Sequence, residues 1–79
     1  MIKIFSEDTT KQTLLDWEQT NSVNLPIYEA SEASDLGITT FPCIVEYDGT
    51  TVIKIHAETL DGIMRLSQEA IAEIVSKSN

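Results

Sequence analysis

The chain has one cysteine, Cys43, and one histidine, His56, and these are its most reactive side chains. A thiolate can attack a disulfide, but complete exchange also needs a second thiol that resolves the mixed disulfide. Dithiol chemistry within the chain is therefore excluded. His56 has no cysteine or second histidine with which to share a metal ion. We expect it to be a surface residue at a strand end, neither a ligand nor a base.

Cys43 follows Pro42 directly, at the start of a predicted strand. Free cysteines are among the most buried residues in proteins, which favours an inert core thiol. Alternation along the strand puts Cys43, Val45 and Tyr47 on one face and Ile44 with Glu46 on the other. The sequence does not say which face meets the helices, so a lone thiol that points into a groove stays open as the alternative.

Three threonines, Thr9, Thr10 and Thr13, cluster where the first helix is predicted to begin. The spacing of Thr9 and Gln12 fits a capping box, and Glu7 with Asp8 places negative charge at the helix start. We interpret these residues as caps and ordinary first-turn residues. The functional alternative is that the hydroxyls and free backbone N–H groups bind a ligand anion.

The first half of the chain predicts a β-α-β unit. Residues 2–5 alternate and are β-rich, and the apolar Leu14, Leu15 and Trp17 favour a helix that runs to about Thr20. Residues 23–28 predict a second strand. Because Pro26 cannot donate a hydrogen bond, we expect this strand at a sheet edge.

The second half predicts a polar loop, a hairpin and a helix. Residues 29–35 are small and polar, with at most one helical turn. Strands are predicted over residues 43–47 and 51–55, joined by a turn at Asp48–Gly49. Apolar residues at helical spacing predict one helix over residues 59–76, capped by Thr59. The fold class is therefore α/β, β-α-β-β-β-α, with a four-stranded mixed sheet packed by helices.

The segment Gly37-Ile38-Thr39-Thr40-Phe41-Pro42-Cys43-Ile44-Val45-Glu46-Tyr47-Asp48-Gly49 resembles the region around the cis-proline of the thioredoxin and glutaredoxin superfamily. The resemblance covers nearly the whole chain and implies a thioredoxin-like fold with a cis Phe41–Pro42 bond. It also implies that the Phe41 backbone faces a bound peptide. In a gapless alignment Thr10 and Thr13 fall where the family has its two cysteines. Glutaredoxins often bind glutathione through Gly-Gly-x-Asp, which is missing from residues 55–60, so we do not expect glutathione binding.

Size and charge exclude several classes of protein. With 79 residues, the chain is predicted to be a single thioredoxin-like domain over residues 1–79. Thirteen acidic and five basic residues give a net charge of −8, which disfavours nucleic-acid binding. No stretch is long and apolar enough to span a membrane, and the apolar start is too short for a signal peptide. We therefore expect a cytoplasmic protein. Compact dithiol-lacking versions of this fold are familiar from phage and bacterial genomes, so the resemblance also implies a host cytoplasm if a phage encodes the protein.

These observations favour a redox-inactive, thioredoxin-like protein that acts as a small protein-binding or regulatory module. The predicted binding groove is a vestigial active site with no catalytic residue, no metal and no cofactor. Its residues are Thr10, Thr13, Phe41, Pro42 and Cys43. The partner is an unidentified protein. The alternatives are a monothiol redox protein that uses Cys43 for mixed disulfides, and a structural role for the acidic surface.

Overall fold

The computed structural model describes residues 1–78, which form four strands, three α-helices and one 3₁₀ helix. The strands are β1 (Ile2–Ser6), β2 (Ile27–Glu29), β3 (Cys43–Tyr47) and β4 (Val52–Ala57). The helices are α1 (Asp8–Thr20), the 3₁₀ helix (Ala30–Leu36), α2 (Leu60–Met64) and α3 (Gln68–Ser76). The predicted α/β class is confirmed.

The strands form one mixed sheet in the order β2-β1-β3-β4. β1 and β2 are parallel, with Ile4 opposite Ile27, and α1 makes the connection between them. β3 is antiparallel to both β1 and β4, and Phe5 lies opposite Cys43. The predicted edge position of β2 and the predicted antiparallel hairpin are both confirmed.

Apolar side chains are buried on both faces of the sheet, in two clusters. The helical-face cluster lies under α1, α2 and α3 and contains Ile2, Ile4, Leu14, Trp17, Val23, Ile44, Ile63, Ile71 and Ile74. The outer-face cluster contains Phe5, Ala33, Cys43 and Val45, with half-buried residues of the 3₁₀ helix and the next loop against it. Because successive strand side chains point to opposite faces, β3 contributes Ile44 to one cluster and its neighbours to the other.

The hairpin turn between β3 and β4 forms at the predicted position. The Asp48 carboxylate accepts hydrogen bonds of 2.8 Å from the backbone N–H groups of Thr50 and Thr51. These bonds stabilise the charged form and lower the pKa of Asp48. Gly49 has a φ of 103°, a conformation that favours glycine.

The start of α1 differs from the prediction. Glu7 is the N-cap residue, in extended conformation and with no side-chain capping bond, and the helix begins at Asp8. The predicted Thr9 and Gln12 capping box is therefore wrong. Thr9 already lies inside the helix, and Gln12 donates to the Asp16 carboxylate at 3.1 Å instead. The helix begins this early because β1 ends at Ser6, one residue before the cap.

The segment after α1 also differs in detail. β2 is shorter than predicted and begins only after Pro26, whereas Val23 packs into the helical-face cluster. The predicted loop after β2 is a seven-residue 3₁₀ helix. A capping box that sequence reasoning missed begins it, in which the Glu32 carboxylate accepts from the Glu29 N–H at 3.0 Å. Gly37, with a φ of 73°, ends it in the left-handed conformation.

The single helix predicted over residues 59–76 is wrong, because the chain forms two helices there. Thr59 caps α2 as predicted and accepts from the Gly62 N–H at 2.9 Å. Ser67 then interrupts the pattern, and its hydroxyl accepts from the Ala70 N–H at 3.1 Å to begin α3. A serine hydroxyl competes for backbone N–H groups and so favours helix starts over helix interiors. Among residues 1–78 there is no helix long and apolar enough to cross a membrane.

Candidate functional site

Three elements converge at one end of the sheet. β1 ends at Ser6, and α1 starts two residues later. β3 runs antiparallel to β1 and pairs Cys43 with Phe5, so Pro42 lies near Ser6 at the same end. We call the region around Ser6, Thr10 and Pro42 the sheet-end site. It contains two of the five residues predicted for the binding groove.

Hydroxyl groups join the strand to the helix at this site. The oxygens of Ser6 and Thr10 are 2.7 Å apart, and both lie within hydrogen-bond distance of the Glu7 carbonyl oxygen, at 2.8 Å and 3.2 Å. Ser6 is buried and Thr10 is half-buried. A hydroxyl is a far weaker acid than a thiol and cannot form a disulfide. Because the two hydroxyl protons are already used within these contacts, the network can hold the helix start in place and accept hydrogen bonds, but it has no means of thiol exchange.

Phe41 and Pro42 are placed by the loop that leads into β3. Their peptide bond is cis, as the sequence prediction has it. The Phe41 side chain packs against the outer-face cluster and is half-buried, while Pro42 is buried. The phenyl ring therefore contributes to the core with part of its surface, and the rest of this residue stays accessible to a partner.

Cys43 is a core residue with 1 % of its surface exposed. Burial raises the pKa of its thiol to about 11, against a smaller opposing effect of a hydrogen bond from the Phe5 backbone. At pH 7 a thiol with that pKa is ionised in about one molecule in ten thousand. The core position predicted for Cys43 is confirmed, and the alternative of a thiol that faces the groove is not found.

Thr13 lies about one helical turn after Thr10 on α1. It is exposed and lines a separate open groove of about 370 Å³ between α1 and α2, with Trp17 and Met64. The floor of this groove is apolar, and Asp16 is its charged member. The structure therefore does not bring the five predicted residues into one pocket. Thr10 and Pro42 lie at the sheet-end site, Cys43 lies in the outer-face cluster with Phe41 packed against it, and Thr13 lines the other groove.

His56 is not the surface residue that the sequence predicted. Only 5 % of its side chain is exposed, and its Nε2 atom lies 3.2 Å from a Glu46 carboxylate oxygen. Lys77, just after α3, lies 3.5 Å from the same oxygen. The hydrogen bond with His56 and the charge of Lys77 lower the pKa of Glu46. The cluster ties the β3–β4 hairpin to the end of α3, and residues 1–78 hold no group of three potential ligands for a metal ion.

Glu18 is a buried carboxyl group that sequence reasoning missed. It lies on the inner face of α1 with 6 % of its surface exposed, and its Oε2 atom has no hydrogen-bond partner. Burial raises the pKa of Glu18, while a hydrogen bond from the Leu25 backbone acts in the opposite direction. The sequence did contain a signal. Glu18 follows the buried Leu14 by four residues, which places both on one helix face.

In comparisons with known proteins, no family model, no curated protein and no solved structure matches this chain.

Proposed function

We propose that the protein is a redox-inactive, thioredoxin-like protein that works as a small protein-binding or regulatory module. It would act in the cytoplasm, or in a host cytoplasm if a phage encodes it. The sheet-end site would supply contacts for its protein partner through Thr10 and the backbone of Phe41. Metal ions, cofactors and glutathione have no part in this role.

The observation that carries the proposal is the chemistry of the sheet-end site. The resemblance to the thioredoxin superfamily puts two cysteines at Thr10 and Thr13, where this chain has hydroxyl groups. Its single thiol is buried beneath the site, with a raised pKa. Exchange requires an accessible attacking thiolate and a resolving thiol, and the site offers neither. What such a site retains is a shaped surface with hydrogen-bonding groups.

The redox half of the proposal is tested with insulin and with a small glutathione mixed disulfide as substrates. We expect no reduction above background, while a dithiol thioredoxin assayed in parallel turns over. Cys43 should react with a thiol reagent at neutral pH only after urea unfolds the protein, because burial blocks attack and suppresses the thiolate. Turnover that disappears in Cys43→Ala would contradict the proposal and establish the monothiol alternative.

The binding half is tested by affinity capture from cells that produce the protein, followed by mass spectrometry. Arginine at Thr10 or Thr13 introduces bulk and charge near the predicted groove, and Thr50→Arg makes the same change at the exposed hairpin turn as a control. We expect a stoichiometric partner with wild type and Thr50→Arg, and its loss with Thr10→Arg. Loss with Thr13→Arg alone would move the contact to the groove beside Trp17 and Met64.

A further inference from the structure

The two edges of the sheet are protected to very different degrees. β2, at one edge, is three residues long and follows directly after Pro26. β4, at the other edge, has six residues and pairs only with β3 in the described part of the chain. An edge strand presents unpaired N–H and C=O groups, and a short length or a proline limits pairing with another chain. β2 has both forms of protection and β4 has neither. The protection that β4 does have is its irregular pairing with β3, whose register shifts between Ile44 and Val45 and between Glu46 and Tyr47.

β4 also exposes apolar side chains beside its free edge. Ile53 and Ile55 are 57 % and 52 % exposed. Ile55 and Val52 line an open groove of about 400 Å³ on the outer face of the sheet, together with Leu36 and Ile38. The strand's lysine does not guard this side, because Lys54 forms an ion pair of 3.6 Å with a glutamate of α3 on the other face. The edge and the groove form one continuous surface, which we call the β4 surface.

Charge decides between the possible occupants of this surface. Within the described part of the chain, Glu58 is the only charged residue that lines the groove beside Val52 and Ile55. All five basic residues of the chain already face a carboxylate or an aromatic ring. The pairs are Lys3 with Tyr28 and Tyr47, Lys11 with Glu29, Lys54 with Glu73, Arg65 with Asp61, and Lys77 with Glu46. A second copy, itself at −8, would bring more net negative charge to the surface, whereas a basic partner complements it.

We propose that the β4 surface binds an extended segment of a basic partner protein. The segment would pair with the outer edge of β4 as a fifth strand, since backbone hydrogen bonds supply affinity in this mode of recognition. Its alternate apolar side chains would cover Ile53 and Ile55, and its lysines or arginines would lie near Glu58. This surface is separate from the sheet-end site, and the proposal stands whether or not Thr10 binds anything.

The test is an NMR titration of the labelled protein with a capped peptide of about eight alternating valine and lysine residues, enough to cover β4. We expect saturable shifts of the amides of residues 52–58 and 36–40, and weaker binding as salt is added. A valine–glutamate peptide controls for charge, and a peptide N-methylated at alternate positions keeps the side chains but cannot form the ladder. Neither control should bind.

The double variant Ile53→Thr, Ile55→Thr removes apolar contact and retains residues that favour strands. It should weaken binding by about tenfold or more. The matched control is Leu15→Thr, Val75→Thr, which changes two helix residues that are 42 % and 39 % exposed, and it should bind like wild type. Glu58→Gln should weaken binding severalfold. Spectra without peptide check that each variant is folded.

Several results would overturn the proposal. One is that the valine–lysine peptide does not bind at concentrations up to millimolar. Another is that the N-methylated or glutamate peptide binds equally well. A third is that the amide shifts are centred on Thr10 or Thr13. Self-association of the free protein that the β4 double variant abolishes would instead assign the surface to a second copy. The affinity capture with Thr10→Arg is read independently, so failure here leaves the proposed function standing.

Discussion

Glu18 is a carboxyl group held where its charge is costly. Burial disfavours the ionised form, and the Oε2 atom has no partner to compensate for the water it loses. Its pKa in the folded protein is raised above the ordinary value of 4.5. The unfolded chain therefore releases this proton first as pH rises. Stability should fall from about pH 4.5 upward until the folded-state pKa is passed.

Glu18→Gln should remove this loss of stability. The amide cannot ionise, and it retains an oxygen that can accept from the Leu25 backbone. We expect the urea midpoint of the variant to increase relative to that of wild type as pH rises from 4 to 8. Asp35→Asn makes the same change in net charge at an exposed position and serves as the control. If the difference in urea midpoint between Glu18→Gln and wild type does not change with pH, burial does not raise the pKa of Glu18.

Glu46 has the opposite dependence on pH. His56 and Lys77 favour its charged form and lower its pKa, so its contribution to stability is present above the unfolded value of 4.5. That contribution is lost as pH falls through the lowered pKa. Glu46→Gln should reduce the urea midpoint at neutral pH, and the difference from wild type should vanish in acid. Asp35→Asn, at an exposed position near the end of the 3₁₀ helix, should show neither effect. A deficit that persists in strong acid would contradict this interpretation.

At the scale of elements, the break between α2 and α3 depends on one side chain. Ser67 accepts from the Ala70 N–H at 3.1 Å, and Leu66 packs against the helical-face cluster on the approach to it. Apolar spacing therefore continues through the break, which is why periodicity alone predicts one helix. A capping serine offers α3 a start that a continuous helix would not use.

Ser67→Ala should lower the free energy of unfolding by about 0.5–2 kcal/mol, the usual cost of a lost N-cap. In a domain of this size a loss of 1 kcal/mol lowers the melting temperature by roughly 4–8 °C. Ser67→Asp keeps an acceptor at the cap and should restore the wild-type value. Hydrogen exchange at the Ala70 amide should accelerate in the alanine variant alone. Equal stability of all three proteins would rule out a capping role.

For the whole molecule, an excess of negative charge sets the response to salt. The chain has thirteen side-chain carboxylates and five basic residues. Each basic residue lies beside a carboxylate or an aromatic ring, and the carboxylates without a basic neighbour repel one another. Exposed ion pairs contribute little, with a median of about 0–1 kcal/mol. Salt screens repulsion and attraction alike, and here repulsion predominates.

The thermal midpoint should therefore rise by a few degrees when sodium chloride is increased from about 0.01 M to 0.3 M, as the Debye length falls from ~30 Å to below ~10 Å. A variant with Glu7, Asp35 and Glu69 changed to their amides should show a smaller rise, because all three residues are exposed and the repulsion is reduced. A midpoint that falls with salt would show that the ion pairs outweigh the repulsion.

The sequence by itself determined those features of the fold that depend on residues adjacent to one another in the chain. Alternation in Cys43–Tyr47 predicted both the strand and the division of its side chains between two faces. Asp48–Gly49 predicted the turn, and Pro26 predicted a sheet edge for β2. Each signal is local, because backbone geometry fixes the period of a strand and proline lacks an N–H group. Composition alone likewise excluded dithiol chemistry within the chain, because a single cysteine has no second thiol to resolve a mixed disulfide.

Only the tertiary structure decided which residues meet and which face water. His56 lies ten residues from Glu46 and is buried because β4 folds back on β3 under α3. Thr13, three residues from Thr10, enters another groove because α2 packs beside α1. Ile53 and Ile55 are residues of the type found in buried strands. They remain exposed because β4 is an edge strand and no further strand of the described chain lies beside it. Burial is a property of the packed chain, and local spacing does not contain it.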